Sequence, residues 1–252
     1  MQSHTYTSQF TTNFEICKAK SPKTHNISVV YIHGLYSTPY GRKPEAARIF
    51  CEENNIDFIR FELIGHCSDI NNYEKADVVI WLNQVLEFID AHTDGNLLLI
   101  GHSLGGWLSI LTALKLPHRI KSLLLTAPGV DFIKDLRSIF TDEQKQEMEQ
   151  KGKIEYPTSD FTYIFTKALI TNGEELLLLD KDTIPLDIPV HIIQGKKDRS
   201  LDWHKALEIA DKLESKDVIL KIIKDGNHRL FSDQDIQEIL DSLKSLTAQF
   251  KI

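Results

Sequence analysis

Residues 96–114 read NLLLIGHSLGGWLSILTAL, and this stretch decides the fold. Its first part, 96–101, is an apolar run that predicts a strand buried on both faces of a sheet. Its last part, 107–114, predicts a helix. Between them stands Gly101-His102-Ser103-Leu104-Gly105, a G-x-S-x-G sequence. A strand followed at once by this turn and a helix predicts a sharp elbow that holds Ser103 at a helix N-terminus.

Short apolar runs alternate with longer amphipathic stretches along most of the chain, which is typical of βα units around a parallel sheet. The predicted strands are residues 28–33, 57–62, 96–101, 120–127, 190–194 and 218–223. An antiparallel hairpin of residues 5–11 and 15–20 is predicted at the sheet edge. The predicted helices include residues 73–92, 203–213 and a last helix whose apolar face runs from Ile236 to Leu246.

The alternation of strands and helices is interrupted between residues 128 and 189, because no apolar run there has the length and the flanking turn residues of the predicted strands. A charged helix is predicted at 141–151, opened by Thr141 with Gln144 three residues later, as in a capping box. A second helix, richer in aromatic residues, is predicted at 160–171. The sequence therefore predicts one α/β domain over residues 1–252 with a helical lid insertion at about 129–187.

Three residues at the carboxyl edge of the predicted sheet suit nucleophilic catalysis. The Ser103 hydroxyl needs a base, and His228, between the last strand and the last helix, is the one histidine of ten in a suitable position. Asp198 follows the preceding strand at the same edge and would fix the imidazole tautomer. Asp202 and, more weakly, Asp131 are alternatives for the acid. The predicted catalytic residues are therefore Ser103, Asp198 and His228.

Acyl transfer also needs hydrogen-bond donors for the oxyanion of the tetrahedral intermediate. We predict two backbone N–H groups as donors, from Leu104, the residue after the nucleophile, and from Leu35, in the loop after the first central strand. His33 is expected to brace that loop through hydrogen bonds. In the insertion, Phe161 and Phe165 are predicted to line an apolar acyl pocket.

Charge and composition exclude several other functions. The chain has 29 Lys plus Arg against 36 Asp plus Glu, a net charge of -7, and no basic run, so nucleic acid is not an expected partner. The apolar stretches are too short to span a bilayer, and no secretory signal is visible. Three irregularly spaced cysteines predict a reducing, cytoplasmic location. No metal and no cofactor are expected, because the sequence shows neither metal-ligand spacing nor a phosphate-binding loop.

These motifs resemble those of the α/β-hydrolase superfamily over essentially the whole chain. The matching pieces are His33-Gly34, the elbow around Ser103, Gly195-Lys196-Lys197-Asp198 and Asn227-His228-Arg229. The resemblance implies an α/β-hydrolase fold, with a mostly parallel central sheet and helices on both faces. It places the catalytic roles on Ser103, Asp198 and His228.

Within that superfamily the chain resembles the mitochondrial palmitoyl-protein thioesterases of the abhydrolase-domain group, also described as acyl-glucuronide esterases. The shared segments are Phe58-Ile59-Arg60-Phe61, Ser103-Leu104-Gly105-Gly106-Trp107-Leu108, Asp202-Trp203-His204 and Asp225-Gly226-Asn227-His228-Arg229. The polar N-terminus departs from this family because it has no Arg-rich transit segment.

The motifs and the resemblance predict a serine hydrolase that cleaves carboxylic esters or acyl thioesters of small molecules or proteins through an acyl-enzyme. A general short-chain carboxylesterase and a carbon–carbon bond hydrolase use the same triad and stay open. A peptidase is disfavoured because the chain lacks a second large domain, and a dehalogenase or epoxide hydrolase needs Asp at position 103. A ligand receptor on a hydrolase fold is the alternative from another class, and the complete triad argues against it.

Overall fold

The computed structural model describes residues 1–7, 9–21, 23–158 and 162–252. Its strands, in chain order, are β1 (Gln2–Thr5), β2 (Thr11–Cys17), β3 (Ser28–Ile32), β4 (Asp57–Phe61), β5 (Leu97–His102), β6 (Ile120–Thr126), β7 (Lys153–Pro157), β8 (Thr162–Thr166), β9 (Val190–Gly195) and β10 (Val218–Ile223). Its helices are α1 (Arg42–Glu53), α2 (Val78–His92), α3 (Leu104–Lys115), α4 (Phe132–Ile139), α5 (Asp142–Lys151), α6 (Lys167–Glu174), α7 (His204–Lys212) and α8 (Asp233–Ala248). A 3₁₀ segment, Cys67–Lys75, precedes α2.

The main sheet has the strand order β1-β2-β4-β3-β5-β6-β9-β10. All neighbours from β4 to β10 are parallel, and they therefore require crossover connections, which the helices supply. The strands β1 and β2 form an antiparallel hairpin, and β2 pairs antiparallel with β4. The predicted mostly parallel sheet with an antiparallel hairpin at its edge is confirmed.

The central strand β5 is buried along its whole length. Leu97 and Leu99 pack into one hydrophobic core, and Leu98 and Ile100 pack into the core on the opposite face. Successive side chains of a strand point to opposite faces, so an unbroken apolar run serves both cores at once. This strand ends directly before Ser103, and the residue is thereby held by the most buried part of the sheet.

Three N-terminal boundaries differ from the prediction for local reasons. The helix predicted at 73–92 begins at Val78, because Asp77 caps it by accepting a hydrogen bond from the Ile80 N–H at 2.9 Å. The hairpin strands begin at Gln2 and Thr11, three and four residues before the predicted starts at 5 and 15, so the strand predicted at 5–11 overlaps β1 only at Thr5. Both strands are partly exposed, so they lack the apolar run that marks the buried ones.

The insertion (residues 129–187) contains a hairpin that the sequence analysis missed. The helix predicted at 160–171 is wrong over 162–166, where β8 pairs antiparallel with β7, and is confirmed only from Lys167, where α6 begins. Residues 160 and 161 lie outside the described residues. The β8 sequence TYIFT is β-branched and aromatic, a composition that favours a strand. Thr166 then ends the strand, since its hydroxyl accepts the Leu169 N–H at 3.0 Å and caps α6.

The helix predicted at 141–151 is confirmed as α5. Its capping box is present, with the Thr141 hydroxyl accepting the Gln144 N–H at 3.2 Å and the Gln144 side chain accepting the Thr141 N–H at 3.0 Å. The insertion is therefore a mixture of helices and a two-stranded hairpin rather than the helical segment expected. Its role as a lid stays a prediction.

Candidate active site

The turn between β5 and α3 holds Ser103 in a sparsely populated conformation, with φ 53° and ψ −119°. Such backbone strain costs about 1–3 kcal/mol and persists only where neighbouring contacts enforce it. Here the Ser103 N–H donates to the Thr126 carbonyl at 3.0 Å. The Ser103 carbonyl accepts the N–H groups of Gly106 and Gly129 at 2.8 and 2.9 Å. The hydroxyl is thus fixed at the N-terminus of α3.

Two glycines allow the chain to pack closely at this edge of the sheet. A Cβ on Gly105 would lie 2.1 Å from the Ile32 carbonyl oxygen, so no larger residue lets α3 approach β3. A Cβ on Gly195 would lie 2.4 Å from the Gly226 carbonyl oxygen, and the Lys197 N–H donates to that same oxygen at 2.9 Å. The loops that follow β9 and β10 are therefore in direct backbone contact.

The structure brings Ser103, Asp198 and His228 together in one hydrogen-bonded chain. His228 Nε2 lies 3.1 Å from Ser103 Oγ, and His228 Nδ1 lies 2.8 Å from Asp198 Oδ2. The Asp198 side chain is completely buried, whereas 23% of the His228 side chain is exposed. The imidazole is consequently accessible from solvent while the carboxylate that orients it is not.

The Asp198 carboxylate is saturated with donors. The N–H groups of Ser200 and Leu201 donate to its Oδ1 at 2.8 and 3.0 Å, and the Gln194 side-chain amide donates to Oδ2 at 3.0 Å. Burial raises the pKa of Asp198, but the hydrogen bonds from His228, Leu201 and Gln194 outweigh it and leave the pKa below its ordinary value. Asp198 is therefore ionised and can support a positive charge on His228.

The two alternative acids serve other contacts. Asp202 is exposed and pairs with His204, whose Nδ1 lies 2.8 Å from its Oδ1. Asp131 is buried and accepts the N–H groups of Leu178 and Leu179 at 2.9 and 2.7 Å, so it fastens the end of the insertion. Among the described residues, the carboxylate in hydrogen-bond contact with His228 is that of Asp198.

Two backbone N–H groups are available beside the Ser103 hydroxyl. Leu104 is the first residue of α3, and Leu35 lies in the turn after β3. Neither N–H takes part in a hydrogen bond with another described residue. The turn is in contact with the elbow, because a Cβ on Gly34 would lie only 3.0 Å from Ser103 Cβ. Both N–H groups are thus free to bind an oxyanion, a role that stays a prediction.

His33 braces the turn after β3, as the sequence analysis predicts. It is fully buried, its Nε2 accepts the Leu63 N–H at 2.9 Å, and its Nδ1 therefore carries the proton and donates to the Gly34 carbonyl at 2.8 Å. Burial, together with the neighbouring His66, lowers the pKa of His33 to about 3. The ring is neutral and holds the turn against β4.

A lysine that the sequence analysis did not single out supports the loop of His228. Lys43 Nζ, in the first turn of α1, donates to the Arg229 carbonyl and lies 3.4 Å from His102 Nε2. Burial lowers the pKa of Lys43 to about 8. His102 is itself buried with Nδ1 3.0 Å from the Thr126 carbonyl, and its ring centroid is 5.3 Å from that of His228. Lys43 and His102 thus lie beside His228 and its loop.

The predicted acyl-pocket residues belong to the hairpin of the insertion. Phe165 is 3% exposed, and its ring packs against Phe140 and Tyr156 with centroids 6.0 and 5.9 Å away. Phe161 lies outside the described residues. A contact of Phe165 with an acyl chain stays a prediction, since the ring already lies inside an aromatic cluster.

The fold agrees with comparisons to known proteins. The chain matches the model of the uncharacterised protein family UPF0227 over residues 28–248. It is 31% identical over 232 residues to the human mitochondrial palmitoyl-protein thioesterase ABHD10, covering 91% of this chain and 74% of the relative. The chain therefore belongs to UPF0227 and, with its human relative, to a family of ABHD10-like hydrolases. A more distant relative, putative esterase/lipase 2 of Mycoplasma pneumoniae, is 25% identical over 251 residues, covering 88% of this chain and 91% of the relative.

Solved structures of an ABHD10 protein and of a more distant hydrolase show the same architecture. Mouse alpha/beta hydrolase domain-containing protein 10 superposes with a TM-score of 0.87 at 27% identity over 98% of both chains. A putative hydrolase from Agrobacterium vitis has a TM-score of 0.88 at 23% identity over 98% of both chains. The predicted α/β-hydrolase fold is confirmed. Within the described residues, no helix combines the length and the apolar character that a membrane span requires.

Proposed function

We propose that this protein is a serine hydrolase that cleaves carboxylic esters or acyl thioesters through an acyl-enzyme on Ser103. The observation that carries the proposal is the hydrogen-bonded chain from Ser103 through His228 to a buried, ionised Asp198. Membership of the ABHD10-like family supports it, because the named relatives are a thioesterase and a putative esterase/lipase.

Acylation follows from the direction of these hydrogen bonds. Asp198 accepts the Nδ1 proton of His228, so Nε2 is free to accept the proton of the Ser103 hydroxyl at 3.1 Å. The serine oxygen then attacks the acyl carbon, and the Leu104 and Leu35 N–H groups bind the oxyanion that forms. Each such donor contributes about 3–4 kcal/mol to transition-state stabilisation.

Breakdown of the tetrahedral intermediate uses the same imidazole as an acid. His228 donates its Nε2 proton to the leaving thiol or alcohol, and Ser103 keeps the acyl group as an ester. Water then takes the place of the leaving group, His228 removes its proton, and the carboxylic acid departs with Ser103 restored. The partial exposure of His228 suits this step, because water can reach the imidazole.

For the substrate we propose long-chain acyl thioesters, on a small molecule or a protein. The human relative is named a palmitoyl-protein thioesterase. In this chain the insertion adds Leu176, Leu177 and Leu179, partly buried apolar side chains that pack against the hydrophobic core. We expect the insertion to act as a lid over the acyl chain. The three unpaired cysteines, Cys17, Cys51 and Cys67, fit a reducing compartment. The cytoplasmic location stays a prediction, and the human relative is named mitochondrial.

The test is a matched series of acyl thioesters and oxyesters with chains of two to sixteen carbons, hydrolysed by the wild type and by Ser103→Ala. We expect kcat/KM to rise with chain length for thioesters and to fall to background in Ser103→Ala. A fluorophosphonate probe should label the wild type on the peptide that contains Ser103, as located by mass spectrometry. Labelling should be absent in Ser103→Ala.

Each other outcome selects a different function. Fast hydrolysis confined to short oxyesters, with the same dependence on Ser103, makes the protein a general carboxylesterase. Turnover of the series that persists in Ser103→Ala contradicts the assigned nucleophile. Absence of turnover and of probe labelling in the wild type contradicts the hydrolase proposal and favours a ligand receptor on this fold.

A further inference from the structure

The turn that carries the Leu35 N–H has an unusual residue at its third position. The Ser37 N–H donates to the Gly34 carbonyl at 3.2 Å, which closes a four-residue turn, and Tyr36 at the third position has a φ of 50°. A positive φ at this position is characteristic of a type II turn, where glycine is usual. A tyrosine therefore persists there only if its side chain makes compensating contacts.

Those contacts join the turn to the insertion. The Tyr36 hydroxyl accepts the Ile164 N–H of β8 at 3.0 Å. The Tyr36 ring packs against Tyr73 of the 3₁₀ segment and Tyr163 of β8, with centroids 4.4 and 5.2 Å away. Because Ile164 gives its N–H to Tyr36, that N–H lies on the edge of β8 that faces away from β7. The hairpin and the turn are thus connected by a directed hydrogen bond and by a ring contact.

The same hairpin has a second attachment close by. Lys153 of β7 forms an ion pair with Glu74 of the 3₁₀ segment, with Nζ–Oε distances of 2.7 and 2.8 Å. Both side chains are more than 40% exposed, at 42% and 46%, so the pair contributes little to holding the hairpin. The Tyr36–Ile164 hydrogen bond is part-buried, and it reaches the residue next to Leu35.

We propose that Tyr36 is a positioning residue that couples the insertion to the oxyanion donors. When the hairpin is docked, the Ile164 N–H holds the Tyr36 hydroxyl, Tyr36 keeps the turn in its positive-φ conformation, and the Leu35 N–H is directed at the oxyanion. Without this hydrogen bond the turn relaxes and the Leu35 donor loses its alignment. This inference rests on the proposed function, because it concerns a donor to the tetrahedral intermediate.

The test removes the hydrogen bond from either side. Tyr36→Phe deletes the acceptor and keeps the ring, and Ile164→Pro deletes the donor on an open strand edge, where proline is tolerated. Misalignment of the Leu35 N–H should cost less transition-state stabilisation than loss of that donor, so each variant should lower kcat about 10-fold. KM should stay unchanged, and the effect should be the same for butanoyl and palmitoyl thioesters. The double variant should be no slower than either single one.

The affinity for a transition-state analogue distinguishes a change in the oxyanion donors from a change in packing. An alkyl trifluoromethyl ketone forms a hemiketal oxyanion on Ser103, and its affinity should fall by the same factor as kcat in both variants. Binding of the corresponding fatty acid should not change. Tyr156→Phe, which deletes a hydroxyl on the opposite strand of the same hairpin, is the matched control and should retain the wild-type kcat.

The inference and the proposed function fail in different ways. If Tyr36→Phe and Ile164→Pro retain kcat and ketone affinity while Ser103→Ala is inactive, the coupling is wrong and the serine hydrolase stands. If the variants raise KM and leave kcat unchanged, Tyr36 serves substrate binding and the coupling is equally wrong. If Ser103→Ala hydrolyses thioesters at the wild-type rate, the proposed function itself is wrong. Thermal unfolding of each variant establishes that the compared proteins are folded.

Discussion

The carboxyl edge of the sheet is tied together by its backbone, whereas the part of the insertion formed by β7, β8 and α6 is attached to the molecule through side chains. At the sheet edge the Ala127 N–H donates to the Ile193 carbonyl and the Lys196 N–H to the Ile223 carbonyl, both at 2.8 Å. In the insertion, Asn172 donates to the Asp77 carboxylate at 2.6 Å, beside the Lys153–Glu74 ion pair. The first region is built into the sheet, and the second is docked onto it.

This difference sets how easily each region can move. A buried backbone group that loses its partner costs about 1–3 kcal/mol, and several would be lost together if the loops at the sheet edge separated. An exposed ion pair such as Lys153–Glu74 contributes only about 0–1 kcal/mol. We therefore expect Ser103, Asp198 and His228 to stay assembled while β7, β8 and α6 open and close.

The largest expected effect comes from changing the tautomer of His228 without moving its ring. Asp198→Asn keeps the shape of the side chain but offers an N–H to His228 Nδ1, which then leaves its proton on Nε2 and cannot accept one from Ser103. We expect kcat to fall about 10⁴-fold. Asp202→Asn, an exposed carboxylate close in sequence, should stay within about twofold of wild type. The opposite ranking of the two variants would contradict the assigned acid.

Acid should destabilise the sheet edge rather than the insertion. Burial lowers the pKa of His66 from 6.5 to about 4, and that of His33 to about 3, while residues 129–187 contain no histidine. Between about pH 4 and 6.5 the unfolded chain therefore binds protons that the folded chain does not, and stability is lost as the pH falls through that window. Each such histidine contributes a slope of about 1.4 kcal/mol per pH unit.

Urea unfolding between pH 4.5 and 7 measures this slope, and His66→Phe should reduce it by the contribution of one group. The Phe ring keeps the contacts of the His66 ring with Tyr73 and Trp81, whose centroids lie 5.7 and 5.6 Å away. A slope that is identical in wild type and His66→Phe would show that His66 is protonated in the folded protein.

The smallest expected effect lies in the insertion. If Phe165 lines the acyl pocket, Phe165→Leu should change the ratio of kcat/KM for palmitoyl and butanoyl thioesters about fivefold. Phe140→Leu is the matched control, because Phe140 lies in the same aromatic cluster with 5% of its surface exposed. An equal loss of stability in both variants with an unchanged ratio would place the acyl pocket elsewhere.

The sequence was sufficient for the sheet and for the residues at its carboxyl edge. Buried parallel strands are largely apolar, so the prediction for 28–33 ends one residue beyond β3 and that for 96–101 lies one residue before β5. Chain order and strand ends then placed Ser103, Asp198 and His228 at the same edge. These features are local patterns combined with one topological rule.

The residues that sequence reasoning missed act over long separations. Lys43 contacts the Arg229 carbonyl 186 residues away, and Tyr36 contacts Ile164 at a separation of 128 residues. Gln194 gave a weak local signal, as a buried amide at the end of an apolar strand four residues before Asp198. The strand β8 was missed because its apolar spacing suits a helix as well, and its pairing with β7 decided between them.

The conformation of Ser103 has a consequence for the evolution of the chain. Glycine reaches a φ of 53° without steric penalty, so we expect a glycine at position 103 to raise the resistance to heat and, with the proposed nucleophile removed, to abolish activity. Selection for stability alone would therefore remove the serine. The serine at position 103 therefore lowers the stability of the fold, and this loss accompanies the activity that we propose for it.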